Sequence, residues 1–210
     1  HNQDYVDFRN IWPEWIPNNS PMTVSVVCCT YNHETFIREA LEGIVNQEVD
    51  FPIEVIVADD ASTDRTPEII SEYAEKYPTP FKCILRQENV GIGENYYDAL
   101  CHVRGKYLAI CDGDDCWVDS KKLKKQVAFL EKHPKCSICG TSFTRRINSE
   151  EGQRDEPFDV KHYATNICGA KTEYTFNDLV QCRFLASCTV MIRWQMLDRV
   201  PEFLRYYRII

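Results

Sequence analysis

Thr23-Val-Ser-Val-Val-Cys-Cys-Thr-Tyr-Asn-His-Glu34 is the stretch on which the fold turns. Its first eight residues are mostly β-branched or small and apolar, and they read as a short buried strand. Tyr31-Asn-His-Glu34 ends that run with polar loop residues. Directly afterwards Phe36, Ile37, Ala40, Leu41, Ile44 and Val45 recur at i, i+4 and i+8, the apolar stripe of an amphipathic helix. A buried strand followed at once by a one-faced helix is the first half of a βαβ unit.

The same alternation continues outward. Ile53-Glu-Val-Ile-Val-Ala58 is a second strand ending in Asp59-Asp60. Thr66 and Pro67 read as the N-cap and first turn of a helix carrying Ile69, Ile70, Tyr73, Ala74 and Tyr77. Phe81–Leu85 is a third strand, and the loop Asn89-Val-Gly-Ile-Gly93 leads to a helix near 94–103. Tyr107-Leu-Ala-Ile-Cys111 is a fourth strand that runs into Asp112-Gly-Asp-Asp115. After Trp117 a further helix presents Leu123, Val127 and Leu130 on one face. Cys136–Phe143 is strand-like, 144–172 is polar and irregular, and Ser187–Arg193 reads as a late strand. Repeated strand–helix alternation predicts an α/β class with a mostly parallel central sheet covered on both faces. Residues 1–21, with Tyr5, Phe8, Trp12 and Trp15 among Pro13, Pro17 and Pro21, form an N-terminal arm. Residues 22–210 form the domain.

Composition narrows the function. The 210 residues are 44% hydrophobic, and no apolar run approaches the roughly 18–20 residues of a membrane-spanning helix. The formal net charge is −8 and no long Lys/Arg run interrupts it, which speaks against nucleic acid as a partner. An acidic chain still binds a diphosphate when a divalent cation supplies the positive charge. The 11 cysteines are odd in number. Cys28, Cys29, Cys83, Cys111 and Cys139 lie in strand-like runs, so the thiols are read as reduced and the compartment as cytoplasmic. Cys136 and Cys139 have zinc-like spacing without a partnering pair, so no zinc site is assigned. The chain opens at His1 without an initiator Met or secretory segment, and reads as an excised piece.

Three strand ends carry polar clusters: Tyr31-Asn32, Asp59-Asp60, and Asp112 to Asp115. In an open parallel sheet these ends meet on one rim, where ligands bind. Asp112, Asp114 and Asp115 crowd three carboxylates into four residues. Their repulsion is relieved by a hard cation such as Mg²⁺ or Mn²⁺, although Asp-Gly is also ordinary turn chemistry. Asp59-Asp60 alone is open to a helix-capping reading, but with Thr66 taken as the cap the pair is free to meet a ligand.

The ordered set Val26–Asn32, Val55–Asp64, Asn89–Gly91 and Asp112–Asp115 resembles family 2 glycosyltransferases, inverting enzymes of the GT-A fold, a Rossmann-like α/β/α sandwich. The resemblance is close over 23–143 and looser over 144–200, and is strongest to the bacterial surface-polysaccharide type. It implies that Cys29, Thr30 and Tyr31 line a base pocket with Tyr31 against the nucleobase, that Asp60 accepts a hydrogen bond from the base, and that Asp59 supports the loop. Asn95 is a further base contact. Asp112 holds the ribose, or the metal through water, Asp114 ligates Mg²⁺ or Mn²⁺, and Asp115 faces donor sugar or acceptor. Trp117 is read as a core aromatic ahead of a sugar-stacking face. His33, Glu34, Lys121 and Lys122 are read as surface or helix-start residues.

The implied reaction moves a sugar from a nucleoside-diphosphate sugar, with UDP-sugars favoured, to a glycan or lipid-linked acceptor. The last acceptor would bring the chain to the inner face of a membrane as a peripheral protein. The family's base follows the late strand by some tens of residues and is expected beyond Ile210. None of Asp155, Asp159, Glu173, Asp178, Asp198 and Glu202 stands in a matching context. A nucleotide-sugar-binding module without activity is therefore one alternative. A nucleotidyltransferase is another, weakened because Cys29–Asn32 is not a Gly-rich basic loop. An Asp-x-Asp phosphatase would carry its pair on the first strand, not the fourth.

Overall fold

The computed structural model describes residues 22–77, 81–149, 152–158 and 186–194. The arm at 1–21, the irregular stretch at 159–172, and Asp159, Glu173, Asp178, Asp198 and Glu202 lie outside the described residues. Eight strands follow in chain order: β1 Val24–Thr30, β2 Ile53–Asp59, β3 Phe81–Leu85, β4 Tyr107–Ile110, β5 Ile138–Cys139, β6 Phe143–Ser149, β7 Gly152–Phe158 and β8 Met191–Arg193. The helices are α1 Ile37–Val45, α2 Thr66–Lys76, α3 Ile92–Cys101 and α4 Lys122–Lys132.

Six strands make one sheet in the order β3-β2-β1-β4-β8-β5. β1 pairs in parallel with β2 and β4, and β2 with β3, while β8 runs antiparallel to β4 and β5. The expected α/β class and mostly parallel sheet are what the chain adopts. Every residue of β1 is buried, as a strand covered on both faces requires. Successive side chains divide between the faces. Val24, Val26 and Cys28 join a core with Ile37, Leu41 and Ile44 of α1, Ile69 and Ile70 of α2, and Leu123 of α4. Val27 and Cys29 join the opposite core with Ile56, Ala58, and Ala99 and Leu100 of α3.

The chain leaves β1 for β2 and β3 on one side, then returns to the other side of β1 at β4. That reversal opens a crevice beyond the carboxyl ends of β1 and β4, where open α/β sheets hold ligands. The loops after β1 and β4 border it.

Five local expectations need correction. Thr66 is not the cap of α2: its buried hydroxyl accepts the His33 N–H at 2.9 Å, and Asp64 Oδ1 accepts the Thr66 N–H at 2.9 Å. Phe36 stays 44% exposed, so the buried stripe of α1 begins at Ile37. Within the stretch read as irregular from 144 onward, β6 and β7 pair as antiparallel strands, with Phe143 and Phe158 stacked 4.7 Å apart. The strand read over 136–143 is only β5. Of the strand read over 187–193, Ser187–Thr189 is a 3₁₀ turn and only 191–193 pair.

Candidate functional site

The rim of the sheet is tied together by backbone and short polar side chains. At the end of β1 the Thr30 carbonyl accepts the Asp60 N–H at 3.0 Å and the Cys29 carbonyl accepts the Gly113 N–H at 2.9 Å. Three strand ends are thereby fixed to one another. Asn32 takes a positive φ of 55°, tolerable for Asn. Its N–H donates to Ser62 Oγ at 2.8 Å, and its side-chain carbonyl accepts the Thr63 N–H at 2.8 Å. Glu34 and Asp64 exchange support in the same way, the Glu34 N–H on Asp64 Oδ2 and the Arg65 N–H on Glu34 Oε2, each at 3.0 Å. Tyr31 projects beside this seam, 44% exposed, with its ring available.

Asp59 and Asp60 divide their labour. Asp59 is buried and accepts Ser62 N–H at 3.0 Å and Ser62 Oγ–H at 2.5 Å, closing a turn in which Ala61 has φ 59°. Burial raises its carboxyl above the ordinary carboxylate range even against those bonds. Asp60 is also buried, and its two oxygens accept the N–H groups of Val90 at 2.8 Å and Gly91 at 2.9 Å. It thus clamps the loop before α3, and each oxygen retains a lone pair. Asn95 is buried as well. Its amide donates to the Ala58 carbonyl and accepts Arg86 Nε–H, both at 2.9 Å, so this side chain ties α3 to β2 and β3.

The acidic loop follows β4. Asp112 is half-buried, with its carboxyl raised by burial against hydrogen bonds from Tyr96 and Ser187. Asp114 is exposed. Asp115 is half-buried, and burial followed by the charges of Asp112 and Asp114 pushes its carboxyl up to about 6. Gly113 lets this loop lie against β1. A Cβ there would fall 2.3 Å from Thr30 Oγ1 and 2.8 Å from His33 Nδ1. Among the described residues, no three His, Cys, Asp or Glu side chains converge as a metal cage. Asp112, Asp114 and Asp115 are hard oxygen donors of the kind that could hold a divalent cation.

A family model for glycosyl transferase family 2 matches residues 25–200. The chain belongs to glycosyl transferase family 2. A Mycobacterium tuberculosis protein is 50% identical over 64% of this chain and 38% of its own length. The putative teichuronic acid biosynthesis glycosyltransferase TuaG of Bacillus subtilis is 30% identical over 80% of this chain and 61% of its own. Among solved structures, the mannosyltransferase PcManGT from Pyrobaculum calidifontis, in complex with GDP-Man and Mn²⁺, is 30% identical with a TM-score of 0.50, covering 61% of this chain and 39% of that one. The chain therefore spans less than two thirds of the length of these relatives. Its sheet plan is the GT-A fold.

Within this family 2 domain several neighbours of the site escaped the sequence reading. Tyr96 hydrogen-bonds to Asp112 Oδ1, and Ser187 donates to Asp112 Oδ2 at 3.1 Å. Tyr96 falls on the helical side of α3, and Ser187 is 75 residues from Asp112, so spacing offered no signal for either. His33 is not a bare surface residue. Its Nδ1 lies 3.1 Å from Thr30 Oγ1, and its ring backs Gly113. Lys122 is not a solvated helix start either. It is buried, its Nζ lies 4.3 Å from the Trp117 ring centroid and donates to Gln126 Oε1 at 2.7 Å, and burial lowers its pKa to about 8. Trp117 is a core aromatic, as read, with Nε1 donating to the Cys188 carbonyl at 2.9 Å. Lys121 stays exposed near Glu48.

Proposed function

We propose that this domain binds a nucleoside-diphosphate sugar for a metal-dependent, inverting glycosyltransferase that delivers the sugar to a glycan or lipid-linked acceptor. The observation that carries the reading is the convergence of Tyr31, Asp60 and Asp112 to Asp115 on the rim beside the β1/β4 crevice. Tyr31 lies against the base, and Cys29 and Thr30 form the floor below it. Asp60 meets the base with its remaining lone pairs while holding the 89–91 loop. Asp112, the most enclosed of the three loop carboxylates, takes the ribose or a metal-bound water. Exposed Asp114 ligates the cation, and Asp115 faces the sugar or acceptor. A bound Mg²⁺ or Mn²⁺ would neutralise charge developing on the departing diphosphate. PcManGT's complex with GDP-Man and Mn²⁺ supports both the cation and the donor class.

No residue of this chain is assigned as the base that takes the acceptor proton. A lipid-linked acceptor would place the domain at the cytoplasmic face of a membrane. No helix among the described residues is long and apolar enough to cross one. The test is a melting-temperature scan with UDP, GDP, CDP and TDP, each with MnCl₂ or chelator. A ligand at 100 times its Kd stabilises by about 2.7 kcal/mol through linkage. Stabilisation by one nucleotide, with UDP tried first, only when Mn²⁺ is present is the expected result. Equal stabilisation in chelator would remove the metal from the reading, and none at all would remove the donor.

A further inference from the structure

Asp112 is gripped from two sides by elements far apart in the chain. Tyr96 reaches Oδ1 from α3, and Ser187 reaches Oδ2 at 3.1 Å from the 187–189 turn. Both donors stand on fixed supports. Beside Tyr96, Asn95 is bonded to Ala58 and Arg86. Beside Ser187, the Cys188 carbonyl accepts Trp117 Nε1–H and the Thr189 carbonyl accepts Gln126 Nε2–H, both at 2.9 Å.

We propose that Tyr96 and Ser187 are positioning residues of the donor site, holding the Asp112 carboxylate in one plane and making donor binding depend on the seating of the 186–189 segment. This rests on the reading of Asp112 as a donor contact. The chemistry of the two donors is the argument. A carboxylate beside Asp114 and Asp115 is driven to rotate away from them, and one hydrogen bond to each oxygen opposes that rotation. Neutral hydroxyls do so without cancelling the charge, whereas Arg or Lys in the same place would neutralise Asp112 and compete with a cation. The Cys29 N–H is a third, main-chain donor to this carboxyl, and one lone pair is left for a ribose hydroxyl or a metal-bound water. Because the donors come from α3 and from a turn 75 residues beyond Asp112, the carboxylate also links these two elements.

The test is calorimetric titration of UDP and of GDP, each with MnCl₂, into the wild-type chain, Y96F, S187A, D112N, Y96F/D112N and S187A/D112N. Titration to millimolar nucleotide keeps weak binding by D112N measurable. Removing a hydrogen bond to a charged group should weaken nucleotide binding about tenfold or more in Y96F, and severalfold in S187A with its longer bond. Neither change should weaken binding further once Asp112 is Asn, because each acts through that carboxylate. A role in packing alone would instead cost the same factor in both backgrounds, and that result overturns the proposal. So does an unchanged Kd in both single variants while the wild type binds. A wild-type chain that binds neither of these, nor CDP or TDP, removes the donor-site reading itself, and this inference with it.

Discussion

Asp115→Asn measures the repulsion inside the acidic loop. Burial and the charges of Asp112 and Asp114 raise the Asp115 carboxyl from 3.8 to about 6. A group that holds its proton more tightly folded than unfolded contributes its stability in full below the unfolded value, and loses it as pH rises through the folded value. Between about pH 4 and 6 the native chain therefore gives up that contribution, and at pH 7.5 it carries an unfavourable charge. A gap of about two units corresponds to roughly 3 kcal/mol, and solvent screening of a half-buried group reduces this to about 1–1.5 kcal/mol. The Cys188 thiol hydrogen-bonds to Asp115, and Asn keeps the shape and an acceptor for it without the charge. For a chain of this size each kcal/mol moves Tm by about 2–4 °C, so the variant should melt roughly 2–6 °C above wild type at pH 7.5 in chelator. At pH 4, where Asp115 is protonated in the folded chain, the two should coincide. Adding MnCl₂ at pH 7.5 should narrow or reverse the gap, since the cation relieves the same repulsion. The assay is circular-dichroism melting at both pH values. A variant that melts no higher than wild type at pH 7.5, or by the same margin at pH 4, would refute the reasoning.

Gly113→Ala should destabilise the fold by about 1–3 kcal/mol and weaken nucleotide binding, because the new methyl meets Thr30 and His33 on β1's own loop. Urea melts and calorimetry read the two effects, and a neutral result would show that the acidic loop can retreat from β1. Asp60→Asn should weaken nucleotide binding by roughly 1.5–3 kcal/mol, since an amide presents one acceptor where two N–H groups now meet two. An unchanged Kd would confine Asp60 to holding the 89–91 loop. Reductant should leave the melting temperature unchanged, because every described cysteine is a free thiol. A marked fall on reduction would point to a bridge outside the described residues.

The strand ends were legible because periodicity survives tertiary context wherever both faces are buried, as along β1, and because carboxylates directly after an apolar run have few structural uses. The errors share a cause. Thr66 and Lys122 are read from local preference, and packing decides both: the Thr66 hydroxyl answers to the His33 N–H, 33 residues away, and Lys122 turns inward onto the Trp117 ring and Gln126. Asn95 is read as a base contact from the Gly-bearing loop before it, and the structure adds a second role that spacing does not announce: its amide ties α3 to Ala58 of β2 and to Arg86. The β6–β7 pair was missed because its strands are polar on both sides and lack alternation. Tyr96 and Ser187 had no signature at all, since a hydroxyl beside a carboxylate is a product of topology.

The late strand β8 sits between β4 and β5, both laid down at least fifty residues earlier. During synthesis the edge of β4 thus remains unpaired until the chain has lengthened past Arg193, and the ring of contacts around Trp117 and Asp112 cannot close before then. Such a long-range insertion is slow to form, and a nascent sheet with a bare apolar edge is a target for self-association. Shortening the polypeptide ahead of Ser187 would leave that edge permanently open, so soluble recombinant yield should fall abruptly between end points placed just after residue 194 and just before 187.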